Sequence, residues 1–193
     1  FTETTFTGDL TVSGVGTYTD GGFVTPISGD LINNGTYLAS GTLDITGNLT
    51  NSGTFTSSGC NINLEGNWDN TGGTYTYFSE DNFTFDGAVA STITGATDWY
   101  ELTADNPAGV TVSSGAQSIH GILDLDQGAF ASGGLVTLIS DTASGQMDDI
   151  GTGTFSGGLT VQRRIAKSSQ TFTSIFSPVT GTTLVTWQAN GVL

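Results

Sequence analysis

The side chains that could do acid–base chemistry are one histidine and two pairs of aspartates. His120 is the only histidine of the chain, so a Ser-His-Asp arrangement would have to use it. Asp124 and Asp126 alternate along one predicted strand and could share a face, while Asp148 and Asp149 are adjacent; paired carboxylates act in glycoside hydrolysis. Neither pair has a nearby cation to bind an acidic sugar, and the sequence has no Gly-x-Ser-x-Gly motif. We therefore predict that the chain is not an enzyme and that His120 is structural or exposed.

Thiol and metal chemistry have little support in the sequence. Cys60 is the only cysteine, so neither an intramolecular disulfide nor a cysteine-based zinc site can form, and we expect a small buried apolar side chain. The 18 acidic residues are scattered, and they form neither an EF-hand loop nor a glycine-aspartate nonapeptide array. We predict no cofactor and a solvated acidic surface, with a bound calcium ion as the alternative, for which the sequence names no ligands.

Positive charge is confined to one short segment. The chain has 3 Lys and Arg against 18 Asp and Glu, a net charge of -15. Every acid lies at or before Asp149, whereas the cations are Arg163, Arg164 and Lys167. This balance argues against nucleic-acid binding and against an anionic membrane surface, and no apolar run is long enough for membrane insertion. The basic segment indicates either a contact with the acidic body of a neighbouring molecule or domain, or pairing with acids of its own fold.

A repeat defines the elements that carry these residues. Four segments share Gly-(Asp/Asn)-(Leu/Trp), a polar turn and Gly-Thr-(Tyr/Phe), and they begin at Gly8, Gly29, Gly47 and Gly66. A second short strand follows in each unit, and Gly, at 29 residues, and Thr, at 34, are abundant. The spacing predicts an all-β fold, a single-stranded right-handed parallel β-helix (β-solenoid) with coils of about 18–21 residues. We assign residues 1–156 to about eight or nine coils and 157–193 to a capping or connecting β segment.

Three sets of equivalent positions are predicted to stack from coil to coil. An apolar row facing the interior contains Leu31, Leu49 and Trp68. An inward aromatic row contains Tyr37, Phe55 and Tyr75. The third set is Asn33, Asn51 and Asn70. We expect the asparagine amides to bond between coils at a turn, the alternative being a row that binds a polar ligand.

The strands of the aromatic row also carry threonines. Thr17 and Thr19 flank an aromatic residue, and the same pattern recurs at residues 54–56 and 74–76. With the aromatic side chain inward, both threonines face outward, and a flat array of this kind can bind ice or another regular crystalline surface. Leu38 interrupts the array, and threonine is also simply a favourable strand residue.

The second half of the chain has a recognisable order of motifs. Between residues 83 and 180 it reads FTFDG, STITG, WYELTADNPAGVTV, GILDLDQG, GLVTLIS, GLTVQRRI and IFSPVTG. This order resembles the β-helical region of large secreted and cell-surface proteins of Bacteroidetes, many of them substrates of the type IX secretion system and neighbours of adhesin-like domains. Because no sorting domain is recognisable before Leu193, we expect a fragment or processed piece of such a protein. Thr142 lies in an Asp-Thr-Ala triplet that fits the O-glycosylation motif of that phylum, or an ordinary turn.

These observations predict an extracellular or cell-surface structural module without catalytic activity, either an adhesin stalk or a subunit of an extracellular filament. Its expected partners are copies of itself bound end to end, neighbouring domains of a larger chain, and surface glycans. One alternative is a glycan-binding module with exposed aromatics, for which Trp99 and Trp187 are the candidates. The other is a polysaccharide-acting β-helix enzyme that depends on Asp124 or Asp126.

Overall fold

A computed structural model describes residues 4–141, 145–148 and 150–162. The described chain is all-β, with 23 short strands, and each strand pairing is parallel. Successive strands wind into about eight stacked coils. The β-solenoid predicted from the repeat is therefore confirmed.

The strands are numbered in chain order, three to a coil. The first four coils contain β1 (Leu10–Val12), β2 (Thr17–Thr19), β3 (Thr25–Ile27), β4 (Leu31–Asn33), β5 (Thr36–Ala39), β6 (Thr42–Ile45), β7 (Leu49–Asn51), β8 (Thr54–Ser57), β9 (Asn61–Leu64), β10 (Trp68–Asp69), β11 (Thr74–Thr76) and β12 (Asn82–Phe85). The later coils contain β13 (Ser91–Thr94), β14 (Thr97–Trp99), β15 (Glu101–Asp105), β16 (Val110–Val112), β17 (Gln117–Ile119), β18 (Ile122–Gln127), β19 (Ala129–Ala131), β20 (Val136–Leu138), β21 (Gln146–Met147), β22 (Thr154–Ser156) and β23 (Leu159–Val161).

Equivalent strands of successive coils form the sides of the solenoid. The eight-stranded sheet takes the first strand of every coil, from β1 to β22, and the seven-stranded sheet takes the third, from β3 to β21. The remaining side consists of two four-stranded sheets. We call β2, β5, β8 and β11 the early sheet, and β14, β17, β20 and β23 the late sheet.

The interior is filled by one inward side chain after another along each row. Leu31 pairs with Leu49 and Leu49 with Trp68, and all three are fully buried. In the early sheet Tyr37 pairs with Phe55, and their rings stack with centroids 4.9 Å apart and planes 2° from parallel. A single coil could not bury these side chains, so the stack itself provides the core.

Glycines allow the coils to approach each other at the turn before the early sheet. A Cβ on Gly53 would lie 2.1 Å from the carbonyl oxygen of Gly35, and one on Gly73 would lie 2.3 Å from that of Asn51. Neither position therefore has room for a side chain. This contact explains why glycine precedes the Thr-aromatic pair in the repeat.

The fourth coil is longer than the spacing of the glycines suggests. Trp68 pairs with Ile93, an offset of 25 residues, whereas Leu49 and Trp68 are 19 apart. The extra residues lie in the connections on either side of β12, one of which contains Glu80, a non-glycine residue with φ of 78°. The early sheet ends with β11 of the fourth coil, and the late sheet begins with β14 of the fifth. The two strands lie close together but do not pair.

The C-terminal strands continue the stack. Leu159 of β23, which belongs to the predicted capping or connecting β segment, pairs with Val136 of the late sheet. The rest of the predicted capping segment, residues 163–193, lies outside the described part of the chain.

Candidate functional site

The three asparagines form a hydrogen-bonded ladder inside the turn between the eight-stranded and early sheets. Nδ2 of Asn33 donates to Oδ1 of Asn51 at 2.8 Å, and Nδ2 of Asn51 donates to Oδ1 of Asn70 at 2.7 Å. The same amides donate to the carbonyl oxygens of Thr54 and Thr74 in the adjoining coils. All three asparagines are buried. Their amides therefore donate hydrogen bonds to oxygen atoms of neighbouring coils, as expected of a structural ladder.

A second polar ladder crosses the opposite end of the eight-stranded sheet, and we did not predict it. Oδ1 of Asp30 accepts from the backbone nitrogen of Asn48 at 2.7 Å, and Oδ1 of Asn48 accepts from that of Asn67 at 2.9 Å. Asp9 begins the row and Thr92 ends it. Asp9, Asp30, Asn48 and Asn67 occupy the Asp/Asn position of the repeat motif, so the recurrence of Asp or Asn at that position was the sequence signal for the ladder.

This second ladder borders a groove of about 300 Å³ on the outside of the eight-stranded sheet. Its floor carries the outward side chains of four strands, among them Ile32, Thr50 and Asp69. Asp69 uses Oδ1 to accept from the backbone nitrogen of Thr71 at 2.9 Å. The lining residues Asp30, Asn48 and Asn67 are thus already hydrogen-bonded between coils.

Two buried carboxylates secure the corner after the early sheet. Asp20 accepts from the backbone nitrogen and the hydroxyl of Ser40 at 3.0 and 2.7 Å. Asp81, 2% exposed, accepts from the hydroxyl of Ser57 and from the backbone nitrogen of Cys60 at 2.8 Å. Burial, reinforced by the negative charge of Asp81, raises the pKa of the Cys60 thiol to about 12. Cys60 is therefore protonated at neutral pH and is a poor nucleophile.

The next coils carry a small polar-aromatic cluster at the same corner. Nδ1 of His120 lies 3.1 Å from Oδ2 of Asp141, and its ring lies 5.2 Å from that of Tyr77. Tyr77 also stacks against Tyr100, with ring centroids 6.2 Å apart. His120 is half-buried, and each of these three contacts joins residues of different coils. The cluster thus joins coils four to seven at the surface.

Trp99, one of the two candidates named for the glycan-binding alternative, is fully buried and therefore offers no exposed aromatic surface. It packs against Trp68, Tyr75 and Phe83 where the early and late sheets meet. Its Nε1 donates to Oε1 of Gln117 at 2.9 Å. The indole thus fills the interior at the fourth and fifth coils, where the cross-section of the solenoid changes because the late sheet replaces the early sheet.

The predicted aspartate pair lies on the outside of the seven-stranded sheet, within a larger group of acids. Asp124 is half-buried and Asp126 is exposed. Burial, with the nearby charges of Asp126 and Asp148, raises the pKa of Asp124. Burial and the charge of Asp124 likewise raise the pKa of Glu101. The group is held together by the fold at an electrostatic cost, since like charges on neighbouring strands repel.

No family model, curated protein or solved structure matches the chain. Within the described ranges, no group of three or more His, Cys, Asp or Glu is arranged to hold a metal ion. Nor does that part of the chain include a helix with the length and apolarity needed to span a membrane. Several predicted site residues lie outside the description: Thr142, Asp149, Arg163, Arg164, Lys167 and Trp187.

We predict that Asp124→Asn stabilises the protein at neutral pH by a few tenths of a kcal/mol, a value limited by solvent screening. The pKa of the Asp124 carboxyl is higher in the folded protein than in the unfolded chain. Between these two pKa values the folded protein binds more protons than the unfolded chain, so its stability falls as pH rises through this interval. The gain should therefore be present above the interval and vanish below pH 3.8, the ordinary aspartate value. Urea unfolding at neutral pH and below pH 3.8 measures this gain in the free energy of unfolding, and Asp98→Asn, at an exposed position, is the control. An equal gain at low pH would contradict the electrostatic explanation.

Proposed function

We propose that the chain is a non-catalytic structural module of a secreted or cell-surface protein, serving as an adhesin stalk or as a subunit of an extracellular filament. The observation that carries this proposal is the continuous interior. Buried rows run from coil to coil, so each coil is supported by the ones before and after it. Nothing in the proposed role requires a bound cofactor.

The geometry suits a rigid spacer. Coils that pair as parallel strands are about 4.8 Å apart, so seven steps between eight coils span about 34 Å. The backbone bonds between coils point along this axis, and so do the two polar ladders. A stack bonded in this direction holds its two ends at a fixed separation.

The charge layout supports association through the ends. Arg163, Arg164 and Lys167 are the only Lys and Arg of the chain, and they follow the last described strand closely. A parallel stack leaves unpaired strand edges at its ends unless they are covered. We propose that the basic segment contacts the acidic body of a neighbouring molecule or domain. The resemblance to Bacteroidetes β-helical proteins supports placing that contact outside the cell, on a type IX secretion substrate.

The test combines shape, assembly and turnover on the purified protein. We expect X-ray scattering of an elongated particle, and electron microscopy across a concentration series should show filaments with a regular axial repeat. The Arg163→Gln/Arg164→Gln double variant should lose them and keep its melting temperature. Isolated particles at every concentration would exclude the filament and leave the stalk. Release of reducing ends from a polysaccharide, abolished by Asp124→Asn, would overturn the proposal in favour of an enzyme.

A further inference from the structure

The outer face of the early sheet is an almost complete array of threonines. It presents eight side chains in two columns, and seven of them are threonine. The first column is Thr17, Thr36, Thr54 and Thr74. The second is Thr19, Leu38, Thr56 and Thr76. The aromatic residue between the columns points into the core in every strand.

The abundance of threonine in the chain does not explain this array. If threonine were only a favourable strand residue, the other sides of the same coils would carry it equally. The eight-stranded sheet instead presents Thr11, Ile32, Thr50 and Asp69. The seven-stranded sheet presents Pro26, Asp44, Asn63 and Thr84 in its matching column. The late sheet has a single outward column of Asp98, Ser118, Thr137 and Thr160. The second outward column of the seven-stranded sheet, Thr42, Asn61 and Asn82, has one threonine. Among these coils the double column of threonines is thus specific to the early sheet.

The array is held in place from beneath and from both ends. The three pairings of the early sheet run without a register shift, over rings that stack 4.9 Å apart at Tyr37 and Phe55. The asparagine ladder fixes one end of these strands, and the carboxylates of Asp20 and Asp81 fix the other. Threonine is itself restricted at χ1. Little conformational freedom would be lost when this surface binds a rigid partner.

The two repeats of the array are those of a regular lattice. Equivalent threonines in adjacent coils are about 4.7–4.9 Å apart, and the two columns are about 6.6 Å apart, twice the rise per residue of a parallel strand. These distances approximate the repeats of water oxygens on faces of hexagonal ice. Each threonine offers a hydroxyl that can join the water network and a methyl group that can occupy a hollow in it.

The charge of the surface agrees with an uncharged partner. None of the eight outward side chains is ionisable, although the chain carries a net charge of -15. The outward carboxylates of these coils lie instead on the other sheets, for example Asp44 on the seven-stranded sheet and Asp69 on the eight-stranded sheet. Charged groups would hold hydration water in arrangements that do not match the lattice.

We propose that the early sheet binds the surface of ice through its two threonine columns. This activity goes beyond the structural role proposed above and does not depend on it. Leu38 is the one position that lacks a hydroxyl, so the native array is incomplete. Leu38→Thr should complete the second column and increase ice binding.

The test measures how the full chain distributes between growing ice and liquid, together with inhibition of ice recrystallisation. The native protein should enter the ice, and Thr54→Lys, in the middle of the first column, should be excluded from it. Thr50→Lys makes the same change in the same coil on the eight-stranded sheet, and it should behave like the native protein. Both positions are at the surface, so each variant should keep its melting temperature within a few degrees.

Three results would overturn the proposal. They are exclusion of the native protein from ice, equal loss in the Thr50→Lys and Thr54→Lys variants, and undiminished binding by Thr54→Lys. Sedimentation with crystalline cellulose or chitin identifies the competing class of regular surface. Binding there without entry into ice would also contradict an ice-binding face.

Discussion

Leu49→Asp is expected to unfold the coils around it. Leu49 is fully buried between Leu31 and Trp68 in the apolar row. The change removes packing and places a carboxylate where no described cation can pair with it, since the described ranges contain neither Lys nor Arg. We expect a loss of at least about 4 kcal/mol. This is comparable to the whole stability of a small domain.

Circular dichroism and denaturant unfolding measure this loss. Thr11→Asp is the matched control, because Thr11 is exposed on the same sheet and the substitution adds the same charge to the surface. It should change the free energy of unfolding by no more than about 0.5 kcal/mol. If Leu49→Asp unfolds at the same denaturant concentration as the parent, the inward orientation of this row is incorrect.

Two substitutions of Tyr37 are expected to change the free energy of unfolding in opposite directions. Tyr37→Ser removes a fully buried ring that packs against Tyr18 at 5.1 Å and Phe55 at 4.9 Å, and should cost about 3–5 kcal/mol. Tyr37→Phe removes only the hydroxyl, which is buried and meets no hydrogen-bond partner among the described residues. Because an unpaired buried hydroxyl is unfavourable, this variant should be more stable by about 1 kcal/mol.

Thermal unfolding of the two variants separates the ring from the hydroxyl. Phe55 occupies the equivalent position one coil later, so the site already accommodates phenylalanine in the neighbouring layer. If Tyr37→Phe loses stability, the hydroxyl has a partner, such as a buried water. If Tyr37→Ser melts with the parent, the aromatic row does not support the core.

The sequence was most informative where the repeat is regular. The spacing of glycines predicted the fold, and the register joins Leu31 to Leu49 and Tyr37 to Phe55 at the predicted equivalent positions. These positions are readable because stacking repeats the same environment every coil, so the same residue type is favoured each time. The Asp/Asn position of the motif carried a ladder that we did not recognise, since an Asx residue beside a glycine is also typical of a turn.

Sequence reasoning was weakest where the coils change length. Nothing in a single sequence shows that Trp68 is followed one coil later by Ile93, because the extra residues resemble ordinary turns. Trp99 illustrates the same limit: the sequence offered it as a candidate for an exposed glycan-binding aromatic, yet it lies in the core where the late sheet replaces the early sheet. Two of the groups that Asp81 accepts from, on Ser57 and Cys60, lie 24 and 21 residues away in sequence, so only the stacked structure brings them to it.

The change of cross-section at the fourth coil also determines how the stack would yield to tension. Along the first seven coils, each boundary is crossed by three ladders of backbone bonds, except the one between coils four and five, which has two. On the remaining side, where β11 and β14 do not pair, side chains make the connection, among them Tyr75 and Trp99 with ring centroids 5.5 Å apart. Under tension along the axis, the boundary between coils four and five should therefore separate first. On its unpaired side, aromatic packing carries the force that backbone hydrogen bonds carry at the other boundaries.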